Sequence, residues 1–191
     1  MLLFRGREPP IGHFLSFASR YMPNMRGLTM ENLNLEREHH YLIAMAPSFT
    51  CFKTMELNGC VSRNTGRLGR FITSFPSLSE LKMSNLSLGP SRSMFIQYRP
   101  ASSRLRELNL MLSANVYLLL DYFTQAGPFI THLTKLVLKW TYVDDVEQHS
   151  LALQGVRGLL KHCGRSLEKL WIYVENPSAG PIPDCVLEQS G

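Results

Sequence analysis

The apolar positions of the chain follow a short pattern that recurs along its length. Its clearest copy is Leu78-Ser-Glu-Leu-Lys-Met-Ser-Asn-Leu86, with apolar residues at the first, fourth, sixth and ninth positions. Between Glu80 and Ser84 polar and apolar residues alternate, so Leu81 and Met83 are expected to face a core. This predicts a short strand with one buried face and one wet face. Such a strand is stable only beside further strands of the same kind.

Six copies of the pattern follow one another at nearly regular intervals. They begin at Met25, Phe52, Leu78, Leu105, Leu133 and Leu167, at intervals of 27, 26, 27, 28 and 34 residues. This spacing falls within or near the period of about 20 to 29 residues that is typical of leucine-rich repeats. Over residues 11–175 the chain therefore resembles a leucine-rich-repeat protein of the long-repeat kind, in which strands and helices alternate.

The residue at the ninth position of the pattern indicates which kind of leucine-rich-repeat protein the chain resembles. In the second copy it is Cys60, which is similar to the cysteine variant of the repeat that is common in F-box proteins. The runs Met22–Met25 and Phe75–Leu78 place apolar-Pro-x-apolar before a strand, as in the divergent leucine-rich-repeat regions of fungal F-box-like proteins, which the chain resembles. The other copies have Leu33, Leu86, Ser113, Thr141 and Glu175 at the ninth position. The repeats are therefore degenerate, and no continuous hydrogen-bonding ladder is expected at this turn.

The resemblance implies the fold class and the domain organisation. We expect an α/β leucine-rich-repeat solenoid of about six degenerate repeats, with a curved parallel sheet on the concave face and helices on the convex face. The expected boundaries are a flexible lead-in at residues 1–10, the solenoid at residues 11–175 and a flexible C-terminal tail at residues 176–191. Pro9-Pro10 and the breaker-rich stretch Asn176–Pro183 are the reasons for the two flexible segments.

Apolar residues at helical spacing predict the elements between the strands. Residues 11–21 are one predicted helix, and Pro23 follows its end. The other stripes are Leu68, Phe71, Ile72 and Phe75; Val116, Leu119, Leu120 and Phe123; and Leu153, Val156, Leu160 and Cys163. Intervals of three and four residues between apolar positions are typical of a helix with one buried face.

The net charge of +5 is unevenly distributed along the chain. Between Ser62 and Arg106 the basic residues are Arg63, Arg67, Arg70, Lys82, Arg92, Arg99, Arg104 and Arg106, against the single acid Glu80. This arginine-rich region, residues 62–106, favours a nucleic-acid-binding solenoid as the alternative function. The other interpretation is that these side chains lie on outer faces of helices and turns. No RNP-type or GxxG pattern supports RNA recognition, so nucleic acid is not the expected partner.

The number and spacing of the cysteines and the hydropathy of the chain indicate the cellular compartment. The four cysteines, Cys51, Cys60, Cys163 and Cys185, form no CxxC pair and show no zinc-type spacing with histidine. This pattern favours free thiols in a reducing compartment. The apolar run Met1–Phe4 is too short for a signal peptide, and no stretch approaches about 18 apolar residues. We therefore expect an intracellular protein, cytoplasmic or nuclear, without a membrane partner.

No motif in the sequence indicates catalysis, a cofactor or a metal. The chain has no GxSxG elbow, P-loop, GxGxxG turn, HExxH helix or calcium loop. In the pairs His39-His40 and His162-Cys163 adjacent side chains would point apart on a helix, so neither predicts a metal site or an activated thiol. Asp144-Asp145 suits a helix start. We expect that the protein is not an enzyme and has no cofactor and no metal site.

The outward residues of the strands form the expected partner-binding surface, because the resemblance implies that partners bind the concave face. In the first strands these residues are small, polar or acidic, such as Thr29 and Glu56. The residues that we expect to bind a protein target are Met111, Lys135, Val137, Lys139, Lys169, Trp171 and Tyr173. Apolar side chains on a wet face are typical of binding hot spots. In the alternative interpretation, Trp171 and Tyr173 belong to a capping repeat that the tail from Pro177 to Val186 covers.

These features predict a non-catalytic protein–protein interaction module. It resembles the substrate-recognition part of an F-box-like ubiquitin-ligase adaptor. In that family the repeats select a target, while a separate F-box contacts the ligase scaffold. Residues 1–24 contain no recognisable F-box. A ubiquitin-ligase scaffold is therefore an expected partner only if an F-box lies outside this chain.

Overall fold

The computed structural model describes residues 2–5, 11–22, 24–36, 43–89, 105–112, 119–120, 123–124, 130–141, 146–175 and 186–188. Over these ranges the protein is a mixed α/β structure. The strands are β1 (Leu2–Arg5), β2 (Gly27–Glu31), β3 (Thr54–Asn58), β4 (Val61–Ser62), β5 (Glu80–Ser84), β6 (Ser87–Leu88), β7 (Glu107–Leu112), β8 (Lys135–Thr141), β9 (Lys169–Glu175) and β10 (Val186–Glu188). The helices are α1 (Ile11–Tyr21), α2 (Thr65–Thr73) and α3 (Val146–Cys163), with a 3₁₀ turn at Ala46–Ser48.

Eight of these strands form one mostly parallel sheet in the order β1-β2-β3-β5-β7-β8-β9-β10. All neighbours are parallel except the last pair, in which β10 runs antiparallel to β9. The register aligns the same position of every copy of the sequence pattern; Leu81 of β5, for example, lies opposite Met55 and Leu108. The strand register that the repeating pattern predicts for β2 to β9 is therefore confirmed.

One face of the sheet forms the core. From β2 to β8 its residues are Leu28, Met30, Met55, Leu57, Leu81, Met83, Leu108, Leu110, Leu136 and Leu138, each at most 1% exposed. Burial of one such side chain contributes about 1.5 to 3 kcal/mol, so this face dominates the stability of the sheet. Helix α2 packs on it through Leu68, Phe71 and Ile72, as the helical spacing predicts.

The same hydrogen bonds recur where each strand begins. The carbonyl of Arg26 accepts from the backbone N–H groups of Lys53 and Thr54, at 2.8 and 2.9 Å. The carbonyls of Lys53, Ser79, Arg106 and Thr134 accept two N–H groups from the next strand in the same way. The start of each strand is thus hydrogen-bonded to the start of the preceding strand. A one-residue slip of register would break two hydrogen bonds and move every side chain of the strand to the opposite face of the sheet.

A left-handed turn recurs where the first strands end. Asn32, Gly59 and Asn85 have φ values of 56°, 63° and 52°, a conformation that favours glycine and asparagine. Their N–H groups donate to the carbonyls of Asn58, Ser84 and Met111, respectively, at 2.8, 2.9 and 2.9 Å. These turns lead the chain from the sheet into the next connecting segment.

The structure places regular strands in both segments for which the sequence predicts flexibility. Strand β1 lies in the expected lead-in and pairs with β2, and β10 lies in the expected tail and pairs with β9. The physical reason is the same at both ends. An edge strand presents unpaired backbone N–H and C=O groups, and a neighbouring segment can satisfy them whatever its hydrophobic pattern.

Helix α3 differs from the sequence prediction by a rotation about its axis. The predicted stripe contains Leu153, which is 49% exposed, and Leu160, which is only partly buried. The buried side chains are Ala152, Val156, Leu159 and Cys163. These positions also have intervals of four, three and four residues, so two overlapping stripes fit a helical period, and the packing selects the one with the smaller Ala152.

Candidate functional site

The face of the sheet opposite the core is called the open face here, and three rows of residues define it. The first row is Gly27, Thr54, Glu80, Glu107, Lys135 and Lys169. The middle row is Thr29, Glu56, Lys82, Asn109, Val137 and Trp171, and the third row is Glu31, Asn58, Ser84, Met111, Lys139 and Tyr173. All seven residues expected to bind a partner therefore lie on this face, on the neighbouring strands β7, β8 and β9.

Two open-face residues are buried although the alternation predicts that they face solvent. Gly27 is buried, and Thr29 is 5% exposed. The neighbours of Thr29 in the middle row are Leu3 on β1 and Glu56 on β3, and both have longer side chains than threonine. Strand β1, which the sequence does not predict, therefore shields this end of the face.

Charge on the open face changes sign from one end to the other. Glu31, Glu56 and Glu80 form an acidic diagonal across β2, β3 and β5. The basic residues Lys135, Lys139 and Lys169 stand on β8 and β9, where the open face has no acidic residue in its three rows. An acidic partner is therefore attracted to the β8–β9 end of the face.

Lys135 is positioned by two neighbours. Its Nζ lies 2.9 Å from Glu107 Oε2 and 5.7 Å from the centre of the Trp171 ring. The distance to Trp171 is that of a cation–π contact, which at an exposed site contributes about 0.5 to 1 kcal/mol. The structure thus brings together two of the predicted partner-binding residues, and adds Glu107, which the sequence analysis did not include among them. The sequence could have identified Glu107, because it stands opposite Lys135 when the repeats are aligned.

Apolar groups accompany these charges. Met111 is 41% exposed, and Val137, Trp171 and Tyr173 are partly exposed. Strand β10 lies beside β9 in the sheet, with Val186 opposite Trp171 and Glu188 opposite Lys169. Residues 176–185 lie outside the described part of the chain. Accessible aromatic, methionine and other apolar side chains grouped on one face are typical of a protein-binding surface.

A small cavity lies near the middle of the open face. Its volume is about 30 Å³, and its lining includes Glu80, Lys82, Glu107, Asn109 and Lys135. Asn109 Oδ1 is inaccessible to solvent and accepts no hydrogen bond from any residue that the structure describes. Sequence alternation places Asn109 on this face but gives no sign that the longer charged side chains around it would enclose its carboxamide oxygen.

The described basic residues of the arginine-rich region lie on several elements. Arg63 lies between β4 and α2, and Arg67 and Arg70 lie on α2. Lys82 lies on the open face, and Arg106 precedes β7. Arg67 pairs with Glu36 at 3.1 Å. Arg92, Arg99 and Arg104 lie outside the described residues. Binding of a phosphate backbone needs basic side chains along one continuous path, so the nucleic-acid-binding solenoid stays a prediction.

Cys60 and Cys163, the two buried thiols among the described cysteines, are unsuited to nucleophilic chemistry. Burial raises the pKa of the Cys60 and Cys163 thiols, so both stay protonated near neutral pH. Cys60 donates to the carbonyl of Met30 at 3.4 Å and Cys163 to that of Leu159 at 3.1 Å. Both are therefore small core residues.

Neither a metal-binding cluster nor a membrane-spanning helix occurs in the described part of the chain. The described ranges contain no group of three or more His, Cys, Asp or Glu side chains placed to hold a metal ion. His39-His40 and Asp144-Asp145 fall outside those ranges. None of the helices in the described part of the chain combines the length and the apolar character needed to cross a membrane.

The open face thus joins a polarised charge pattern, a positioned lysine, accessible apolar groups and an unsatisfied buried amide oxygen. Comparisons of the chain with protein-family models, with curated proteins and with solved structures find no match. The functional assignment therefore rests on the chemistry of this face.

Proposed function

We propose that the chain is a leucine-rich-repeat solenoid that acts as a non-catalytic protein–protein interaction module. In this proposal the β7–β9 part of the open face binds a protein target, as the substrate-recognition part of an F-box-like ubiquitin-ligase adaptor. The observation that carries the proposal is Lys135, positioned between Glu107 and Trp171 at 2.9 and 5.7 Å on a sheet face that does not form the core.

Repetition of the backbone geometry supports the solenoid part of the proposal. Successive parallel strands stand side by side in chain order, and the same carbonyl at each strand start accepts two N–H groups of the next strand. Stacked repeats of this kind contact mainly their neighbours and leave a long continuous face. The three open-face rows, which run across the six strands from β2 to β9, are such a face.

The side-chain chemistry supports the binding part. Hot spots of protein interfaces are enriched in tryptophan, tyrosine and arginine. Trp171 and Tyr173 stand in neighbouring rows of β9, beside Lys135 and Lys139 of β8. Because Lys135 is already oriented by its neighbours, less side-chain entropy is lost when a partner contacts it.

Affinity capture from a lysate of the source cells tests the proposal. The tagged chain is compared with a double variant, Trp171→Ala and Lys139→Glu. A matched control, Tyr21→Ala and Lys53→Glu, makes the same changes at exposed positions away from the open face. We expect a protein that the parent and the control capture and the open-face variant loses, while all three melt at similar temperatures. Equal capture by all three chains, or capture of RNA alone, would overturn the proposal.

A further inference from the structure

Lysine side chains stand on both sides of an apolar centre on the neighbouring strands β8 and β9. We call this area the lysine–aromatic patch. Its members are three pairs of opposite residues: Lys135 with Lys169 in the first row, Val137 with Trp171 in the middle row, and Lys139 with Tyr173 in the third row. All six residues are at least partly exposed. The patch therefore offers a ligand positive charge, apolar surface and positive charge in succession along the strands.

The first row of the patch is a pair of like charges that does not stabilise the sheet. Lys135 and Lys169 stand opposite each other on adjacent strands, where like charges repel. The Nζ of Lys135 lies 2.9 Å from Glu107 Oε2, on the side of β8 away from Lys169, and Lys169 itself is exposed. A carboxylate bound beside Lys169 would replace repulsion with attraction. The first row therefore selects an anionic group in the ligand.

The middle row selects an apolar side chain. Val137 carries an aliphatic group, and the Trp171 ring beside it is oriented by the cation–π contact with Lys135 at 5.7 Å. A single-stranded nucleic acid would need aromatic rings that stack successive bases. Trp171 instead shares its row with valine, and the first row has no aromatic side chain among its members. Apolar surface of both middle-row residues leaves water when an apolar side chain packs on them.

The spacing of the rows matches that of alternate residues in an extended polypeptide. Successive rows are two residues apart on each strand, which is about 6.6 Å at about 3.3 Å per residue. A segment that lies along the strands has the same period, so its residues i, i+2 and i+4 reach the three rows in turn. In the third row Lys139 supplies positive charge, and Tyr173 adds a hydroxyl donor. The rows therefore select acidic, apolar and acidic residues.

We infer that the lysine–aromatic patch binds an extended segment of the partner protein with the pattern acidic-x-apolar-x-acidic. This inference rests on the proposed function and adds the chemistry of the partner. One carboxylate of the segment pairs with Lys169, and the other pairs with Lys139. The apolar side chain between them packs on Val137 and Trp171. Because the pattern reads the same in both directions, it fits either orientation of the segment along the strands.

Selection of peptides on the folded chain tests the pattern. One phage library of peptides of about ten residues fixes acidic-x-apolar-x-acidic, and a matched library places the same three residues next to one another. Both are selected on the parent, with counter-selection on a Trp171→Ala, Lys169→Glu variant. We expect enrichment from the first library only, because adjacent residues of an extended segment point to opposite sides and cannot all reach the patch.

Calorimetry with the synthesised peptides measures the contribution of charge. Affinity for Lys169→Glu should fall about tenfold or more, and Lys169→Met, which removes the charge without reversing it, should show a smaller loss. Lys53→Glu is the matched control, because it makes the same reversal at an exposed lysine away from the open face. Its affinity for the peptides should stay within about twofold of that of the parent. Thermal melting should show the same midpoint for all four chains.

Charge reversal in the peptide identifies which lysine each acidic residue contacts. In one peptide the first acidic residue is replaced by lysine, and in a second peptide the last one is replaced. One of them should regain affinity for Lys169→Glu and the other for Lys139→Glu, because these two lysines lie in rows at opposite ends of the patch. Each replacement should weaken binding to the parent.

Four results would overturn the inference. These are selection of no peptide, equal enrichment of both libraries, restoration of both variants by the same replaced peptide, or binding of a mixed RNA in place of any peptide. If one of them accompanies a partner that the parent captures and the Trp171→Ala, Lys139→Glu variant loses, the proposed function stands and the inference about the segment alone has failed. If that capture also fails, both are overturned.

Discussion

The core face and the open face of the sheet are built from alternating residues of the same strands, yet they follow different rules. On the core face the side chains from β2 to β8 whose burial is described are Leu or Met, and each is at most 1% exposed. On the open face the same strands carry glutamates, lysines, two asparagines and a methionine that is 41% exposed. The fold constrains the first set to one property, hydrophobicity, and leaves the chemistry of the second set unspecified.

This difference shows which residues of the sheet carry information about function. A residue on the core face is explained by packing, as Leu81 is. A residue on the open face such as Asn109 lies opposite the core, so packing in the core does not explain its side chain. Substitutions on the core face should therefore change stability more than substitutions on the open face.

The largest effect is expected from a charge on the core face. Leu81→Asp places a carboxylate where the parent side chain is 0% exposed and should cost more than about 4 kcal/mol, which unfolds the central strands. Lys82→Asp, the next residue on the same strand, should change the free energy of unfolding by less than about 1 kcal/mol. Urea unfolding followed by circular dichroism measures both. Similar losses in the two variants would show that the assignment of faces is incorrect.

A smaller effect is expected at the turn between the faces. Gly59 has a φ of 63°, and a Cβ at this position would overlap Asn32 Oδ1. Gly59→Ala should therefore cost at least about 1 to 2 kcal/mol, the penalty for a left-handed alanine. Gly66→Ala is the control, because Gly66 lies in α2, where alanine has the higher helix propensity. Thermal melting should show a lower midpoint for the first variant and an equal or higher one for the second.

The ion pair on the open face should matter little for stability. The side chains of Glu107 and Lys135 are 43% and 40% exposed, so solvent screens their attraction. A double-mutant cycle with Glu107→Gln and Lys135→Met should give a coupling energy of about 0.2 to 1 kcal/mol. A coupling well above that range would mean that this pair has a structural role comparable to that of the core face.

The smallest effect is a pH dependence that is confined to alkaline solution. Because burial raises the pKa of Cys60 and Cys163, the folded chain keeps thiol protons that the unfolded chain releases above the ordinary thiol pKa of about 8.5. The thiols therefore stabilise the fold fully below that pH, and their contribution falls as the pH rises. The stability advantage of the parent over a Cys60→Ala, Cys163→Ala variant should narrow between neutral and alkaline pH. A constant or growing difference would contradict the burial of these thiols.

The sequence predicts the sheet well because strand alternation is a local property. Once the copies of the pattern are aligned, the pairing of Leu81 with Met55 and Leu108 follows from their shared position. The sequence does not predict β1 and β10, because an edge is completed through backbone groups that every residue type supplies. The sequence also does not predict that Leu153 on α3 is exposed. Two overlapping apolar stripes satisfy the helical period, and tertiary packing decides between them.

The sequence predicts which residues the candidate site contains, but not the contacts between their side chains. Alternation places Lys135 and Trp171 on one face, yet the 5.7 Å contact between them depends on side-chain conformations that no sequence pattern encodes. The same holds for Asn109, whose oxygen is enclosed because four long charged side chains on β5, β7 and β8 line the cavity beside it.

The measurement that tests the account most directly compares two asparagines of the open face. Urea unfolding of Asn58→Leu and Asn109→Leu makes the same substitution where the amide oxygen is hydrogen-bonded and where it is not. We predict that Asn58→Leu loses about 1 to 3 kcal/mol, because the donors of Ser84 and Asn85 lose their acceptor, while Asn109→Leu is as stable as the parent or more stable. An equal loss in both variants would contradict the difference in hydrogen bonding between the two amide oxygens.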